Sequence, residues 1–280
     1  MKVMVIDITK CNGCFNCQIA CKDEHVDNDW SPYAKPQPDA GHFWMHVNLV
    51  ERGQCPKVKV AYIPKPCMHC GELACMKDVP EGAIYRRADG IVIVDPEKSK
   101  GQKQIVQACP YGCIYWNQEL SIPQKCTFCA HLLDQGFIKE PRCVEACPTG
   151  ALTFGEYDEF KYLINERKAE VLHPEYGLKP NVYYIGLPKR FVAGTVVFSD
   201  TDECAENVNV TLVGKGHKET IKTNNYGDFE FEGLDADKEF TVKIKHSGYA
   251  SRELATQTKR DVYLGEIVLT KTKIGKREKQ

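Results

Sequence analysis

The chain has 280 residues, 27% of them charged, and its 37 Lys and Arg nearly balance 38 Asp and Glu for a formal net charge of −1. Interspersed charges of both signs exclude the basic footprint of a nucleic-acid binder. No apolar run approaches the ~18 residues that would cross a bilayer, and the length suits two ordinary domains.

Residues 3–8 alternate as a short strand, and 14–24 suit a helix behind the run Cys11-x2-Cys14-x2-Cys17-x3-Cys21. A proline-rich loop follows at 31–38. Residues 58–63 form a strand entering Cys67-x2-Cys70-x4-Cys75, and 83–94 read as a hairpin turning at Asp89-Gly90. Next come Cys109-Pro110, the pair Cys126-x2-Cys129, and Cys143-x3-Cys147-Pro148. Residues 157–170 suit a charged helix and 174–190 a wrapping linker. Beyond about 190 the segments 192–198, 208–213, 219–223, 228–231, 239–245 and 263–269 alternate at period two between turn residues, which predicts an antiparallel sandwich. The basic tail, 273–280, reads as a solvated, frayed end.

Fourteen of the fifteen cysteines precede residue 150. The N-terminus has no signal-peptide pattern and no twin arginine. The expected location is therefore cytoplasmic, unless a partner with its own export signal carries the chain out, and thiols there argue for metal over disulfides. The first run has the thiolate spacing of a [4Fe–4S] ferredoxin, in which three cysteines hold one cube and the fourth reaches to its neighbour. By that rule Cys11, Cys14 and Cys17 are completed by Cys147, and Cys126, Cys129 and Cys143 by Cys21. The insertion at 30–120 repeats the logic, with Cys67, Cys70 and Cys75 completed by Cys109. Twelve cysteines thus give three clusters. A fourth cube needs ligands at Val79, Ser99, Gln102 and Ile105, and all four are absent together, which reads as clean loss of one cluster. Zinc is the rival for paired Cys-x2-Cys units, but a third cysteine at x2 followed by x3-Cys is hard to place around one tetrahedral ion.

Cys-Asn-Gly-Cys-Phe-Asn-Cys-Gln-Ile-Ala-Cys, Pro-Lys-Pro-Cys-Met-His-Cys, Ala-Cys-Pro-Tyr-Gly and Glu-Ala-Cys-Pro-Thr-Gly-Ala resemble the iron–sulfur subunit of dimethyl-sulfoxide-reductase-type molybdenum enzymes, over residues 1–190. The resemblance departs at the four missing ligands. The segments Gly-Thr-Val-Val-Phe, Val-Asn-Val-Thr-Leu and Asn-Tyr-Gly-Asp-Phe-Glu-Phe-Glu-Gly-Leu resemble a transthyretin-like or Cna-B-like module. Three clusters with such a module is similar to the small subunit of anaerobic molybdopterin enzymes that move hydroxyls between polyhydroxybenzenes. The resemblance implies a heterodimer whose large, catalytic subunit holds a bis-molybdopterin guanine dinucleotide molybdenum cofactor.

The resulting expectation is an α+β chain. A ferredoxin-like [4Fe–4S] domain (1–190) carries an inserted second ferredoxin-like unit (30–120), and an antiparallel β-sandwich of transthyretin/Cna-B kind (191–272) follows. Its role is electron transfer without an active site of its own, since no nucleophile–base set, phosphate loop or dinucleotide fingerprint is present. A free polyferredoxin carrier, a subunit of another molybdopterin oxidoreductase, and a structural subunit stapled by clusters are the alternatives. Cys55, Cys113 and Cys204 read as small apolar packing residues, and His69, between two ligand cysteines, as a surface imidazole rather than a tuning group. Lys10 and Lys125 precede ligand cysteines, where a cation can raise a cluster's potential or simply be solvated.

Overall fold

The computed structural model describes residues 1–77, 79–136 and 138–272; the tail at 273–280 lies outside the described residues. The chain divides into two compact units, one of residues 1–50 with 61–187, the other of 51–60 with 188 onward.

In the first unit, β1 (Lys2–Asp7) is the centre of a three-stranded sheet. α1 (Asn16–His25) follows, and then β2 (His46–Gln54) and β3 (Lys57–Lys65) pair as a long hairpin whose tip, 51–60, counts with the second unit. The short hairpin β4 (Ile84–Arg86)–β5 (Val92–Val94) comes next, followed by α2 (Gln104–Gln107) and a further hairpin, β6 (Tyr115–Asn117)–β7 (Ile122–Gln124). α3 (Ala130–Gln135), α4 (Arg142–Glu145), β8 (Leu152–Glu156), α5 (Tyr157–Glu166) and β9 (Val182–Ile185) complete the unit. β1 pairs antiparallel with β8 and parallel with β9.

β1 is buried on both faces because each has a cover. Val5 packs with Ile164 of α5 and Ile185, while Met4 and Ile6 enter the main core with Trp44, Met45, Met68, Phe128 and Tyr184. That core also contains cysteines, Cys17, Cys21, Cys67, Cys126 and Cys143 among them, so its apolar side chains wrap thiols instead of closing on each other. The stretch at 174–190, expected as linker, instead supplies β9. Its Pro and Gly residues hide a strand that β1 recruits as a parallel neighbour.

The second unit is a two-sheet sandwich. One sheet has β10 (Arg190–Phe198) between β13 (Asp228–Leu234) and β16 (Val262–Leu269). The other has β11 (Asn209–Gly214) and β14 (Glu239–Lys245) at its centre, with β12 (His217–Lys222) and β15 (Arg252–Gln257) at the edges. Val210 and Leu212, Phe229 and Phe231, Val242 and Ile244, and Ile267 and Leu269 alternate into one core, as a period-two strand with one covered face requires. β10 and β16 run parallel, a departure from a purely antiparallel sandwich.

Candidate metal centres

α1 packs against α4, and each carries two cysteines one helical turn apart: Cys17 and Cys21 on α1, Cys143 on α4 and Cys147 just beyond it. Residues four apart share a helix face, so each element presents one thiol to each of two groups. Cys11, Cys14, Cys17 and Cys147 lie close enough to act electrostatically on one another. So do Cys21, Cys126, Cys129 and Cys143, and Cys67, Cys70, Cys75 and Cys109. These are the fours that the spacing groups. The second four is buried throughout, whereas Cys14 of the first is exposed. Cys17 acts on Cys143 and Cys21, and Cys67 on Cys126, so the groups form a row with the buried four in the middle.

The third four lines one cavity, together with His69, Lys125, Val92 and Ile114. Among the described residues no three His, Cys, Asp or Glu side chains converge as a single ion would require; the third four surrounds a space instead.

Burial pushes most of these thiols up, with neighbouring sulfurs adding to it: Cys17 and Cys70 to about 12, Cys75 and Cys126 to about 11, and Cys21 and Cys143 well above the ordinary value. Desolvated, mutually repelling thiols cannot ionise together unless positive charge lies among them, so the donor set fits iron–sulfur clusters.

The two Cys-Pro sulfurs run the other way. Cys109 is lowered to about 6, first by the Cys113 thiol, which outweighs burial with help from the backbone amides of Cys113, Tyr111 and Gly112. At Cys147 burial raises the value, but the Leu152 amide, the Thr149 hydroxyl and two further amides lower it overall. Both loops read Cys-Pro-x-Gly, and Gly112 and Gly150 take φ of 63° and 62°, the left-handed conformation that aims successive amides at one sulfur.

Two groups beside the thiols were not legible as such in the sequence. His25 Nε2 stands 3.9 Å from the Cys129 Sγ, under the Trp44 ring, and burial lowers it to about 3, so it is neutral. His131 meets Glu24 at 2.9 Å and stacks on Trp30 at 4.3 Å. The signal for His25 was its place one turn beyond Cys17 and Cys21 on the same face of α1. His69 corrects the surface expectation: it is fully buried, stacks on Phe128 at 3.7 Å, and its Nδ1 accepts the Val92 amide. Lys125 is 2% exposed and donates to the carbonyls of Val92 (2.5 Å) and Cys126 (3.0 Å), whereas Lys10 is exposed. Of the remaining cysteines, Cys113 is buried, but Cys55 and Cys204 are exposed and do not pack as expected.

Of the four positions that the spacing marks as lost ligands, Ile105 and Val79 lie in apolar packing. Ile105 forms a core with Ile84, Val92, Val94 and Ile114, and Val79 packs against it. Ser99 is fully buried, with no partner for its hydroxyl among the described residues, and Gln102 accepts from the Gln104 side chain.

Comparison with known proteins agrees with this architecture. A 4Fe–4S dicluster domain family matches residues 58–157, and a carboxypeptidase regulatory-like domain family matches 192–270. A subunit of the sulfite dehydrogenase of Allochromatium vinosum is 35% identical over 67% of this chain and 82% of its own. A subunit of the anaerobic dimethyl sulfoxide reductase of Escherichia coli is 34% identical over 63% and 84%. The chain belongs to the family of electron-transferring iron–sulfur subunits of molybdopterin enzymes. Within it the similarity to one relative extends past the cysteine-rich unit. The small subunit of pyrogallol hydroxytransferase from Pelobacter acidigallici is 40% identical over 95% of this chain and 98% of its own, sandwich included.

Proposed function

We propose that the chain is the small subunit of a heterodimer, carries three [4Fe–4S] clusters, and serves a large subunit that holds a bis-molybdopterin guanine dinucleotide molybdenum cofactor and the active site. The ligand sets are Cys11, Cys14, Cys17 and Cys147; Cys21, Cys126, Cys129 and Cys143; and Cys67, Cys70, Cys75 and Cys109. The observation that carries this reading is the row of three cysteine fours, the middle one fully buried, with Val79 and Ile105 in apolar packing beside the third. Bound there, the clusters supply one-electron exchange at potentials set by hydrogen bonds and burial.

The chain's own residues do the rest. The amides of the two Cys-Pro loops stabilise sulfur charge, Trp44, Phe128 and Tyr184 exclude water, and Cys14 leaves the first group open to the surface. The full-length similarity to a pyrogallol hydroxytransferase subunit supports hydroxyl transfer between polyhydroxybenzenes as the partner's reaction. With no net external oxidant, the clusters would then poise the molybdenum rather than carry a stoichiometric current. We also read residues 1–190 as two ferredoxin-like halves, one inserted at 30–120. The sandwich at 191–272 is read as transthyretin/Cna-B-like, which its two facing sheets support. Free thiols throughout suit a reducing compartment, and a cytoplasmic location is part of the reading.

The test is iron and acid-labile sulfide analysis of the anaerobically purified protein, with the mass and metal content of whatever travels with it. About twelve irons per chain and a large molybdenum-containing companion are expected. Eight or sixteen irons (about two or four cubes), or zinc, would overturn the ligand sets, and a lone chain with full clusters would favour the free carrier.

A further inference from the structure

We propose that Lys125 is the shared counter-charge of the second and third clusters, a buried ammonium set between Cys126 of one and Cys67 of the other that draws both reduction potentials upward. The inference rests on the three-cluster reading and goes beyond it. Its geometry is specific. Lys125 closes the cavity lined by Cys67, Cys70, Cys75 and Cys109. Its ammonium is held by the carbonyls of Val92 and Cys126 and acts electrostatically on the Cys67 sulfur.

A lysine in such a place needs compensation. Removing an ammonium from water is costly unless charge and hydrogen bonds replace the lost hydration. Two carbonyls supply dipoles, and no carboxylate among the described residues pairs with it; the anions that face it are sulfurs. Its field reaches Cys67, Cys75 and Cys126, sulfurs of two groups at once. Each cube with its four thiolates is already anionic and becomes more so on gaining an electron. A fixed cation in a low-dielectric interior therefore favours the reduced form of both. Lys10 beside the first group is in water, where the same charge is screened. The consequence is selective: the middle and third clusters hold the electron more readily than they would without Lys125, while the first is untouched.

A lysine that merely pins the β5 strand to the Cys126 loop would leave potentials unchanged, so potentials decide. Midpoints are measured by redox titration with electron paramagnetic resonance on the anaerobic complex, for the unaltered chain, Lys125→Met and Lys125→Arg. The expected result is a fall in two of three midpoints in Lys125→Met, the other staying in place as an internal reference, with Lys125→Arg close to the unaltered chain. Unchanged midpoints in Lys125→Met, or an equal shift of all three, would overturn the proposal. If Lys125→Met fails to hold two of the clusters, Lys125→Arg decides: retention at unaltered midpoints supports the charge role, and loss of the same clusters overturns it. Iron content of the unaltered complex reads the three-cluster assignment separately, so the two ideas fail by different measurements.

Discussion

Arg87 clasps both carboxylate oxygens of Asp134 at 2.7 Å, and the Tyr33 hydroxyl donates to the same group. Three segments far apart in sequence, the end of β4, α3 and the proline-rich stretch after α1, are thereby tied within the first unit.

Hydrogen bonds from Arg87, then from Tyr33, hold the Asp134 carboxyl at about 2, against an ordinary 3.8. A depressed carboxyl stabilises the fold above its unfolded value and loses that contribution as pH falls toward the folded one. The side chain is 39% exposed, so screening limits the pair to about 1 kcal/mol. Asp134→Asn should lower the melting temperature of the anaerobic protein slightly, and by the same amount from pH 5 to pH 8, since both values lie below that window. A difference that shrinks between pH 8 and pH 5 would contradict the assignment.

Cys113 is not inert filler. Its thiol donates to the Pro66 carbonyl at 3.3 Å, and the Cys109 sulfur beside it, together with burial, keeps it protonated. Cys113→Ala removes that thiol from beside a proposed ligand, whose sulfur charge it favours, and leaves the loop amides in place. One hydrogen bond of about 1 kcal/mol corresponds to ~40 mV for a one-electron couple. The third cluster's midpoint should fall by about that much in Cys113→Ala and by less in Cys113→Ser, read by electron paramagnetic resonance. Equal midpoints in all three proteins would show that the thiol has no electronic role.

In the second unit, Asp261 gathers Arg52 at 3.0 Å, Arg190 at 3.7 Å and the Phe191 amide at 3.0 Å, with its side chain 2% exposed. Removing this buried carboxylate leaves two partly exposed arginines and the Phe191 amide without their partner, at a cost of about 1–3 kcal/mol. Asp261→Ala should therefore speed hydrogen exchange in β10 and β16 while the cluster absorption stays intact. Unchanged protection of those strands would show that the arginines find solvent without cost.

How much of this was legible follows from what each signal encodes. Thiol spacing is a local record of which sulfurs a loop can bring together, and period-two alternation exposed β11, β13, β14 and β16, each with one face in the sandwich core. β15 was missed because Arg-Glu-Leu-Ala-Thr-Gln is an edge strand with weak alternation and little burial. β9 was missed because its partner, β1, lies at the other end of the unit and nothing local announces a parallel neighbour. His69 and Lys125 were indistinguishable from solvated groups, because burial of a polar side chain depends on distant segments such as β5, which supplies Val92 to both.

The place of a fourth cube makes the strongest stability prediction. Ile105 is fully buried among Ile84, Val92, Val94 and Ile114, with Val79 packed against them, and Cys75 and Cys109 of the third group touch the same cluster of side chains. On the proposed reading, branched aliphatics occupy the place of a lost cube and also wall the neighbouring thiols. Ile105→Ala should cost about 2–5 kcal/mol and make the third cluster the first to bleach under heat or oxygen. Restoring ligands all at once (Val79→Cys, Ser99→Cys, Gln102→Cys, Ile105→Cys) should not raise the iron content above about twelve per chain, because the remaining aliphatics leave no room. A rise toward sixteen irons, about four cubes, would mean that the site is a cluster cavity lacking only its sulfurs, and that the apolar packing yields to iron.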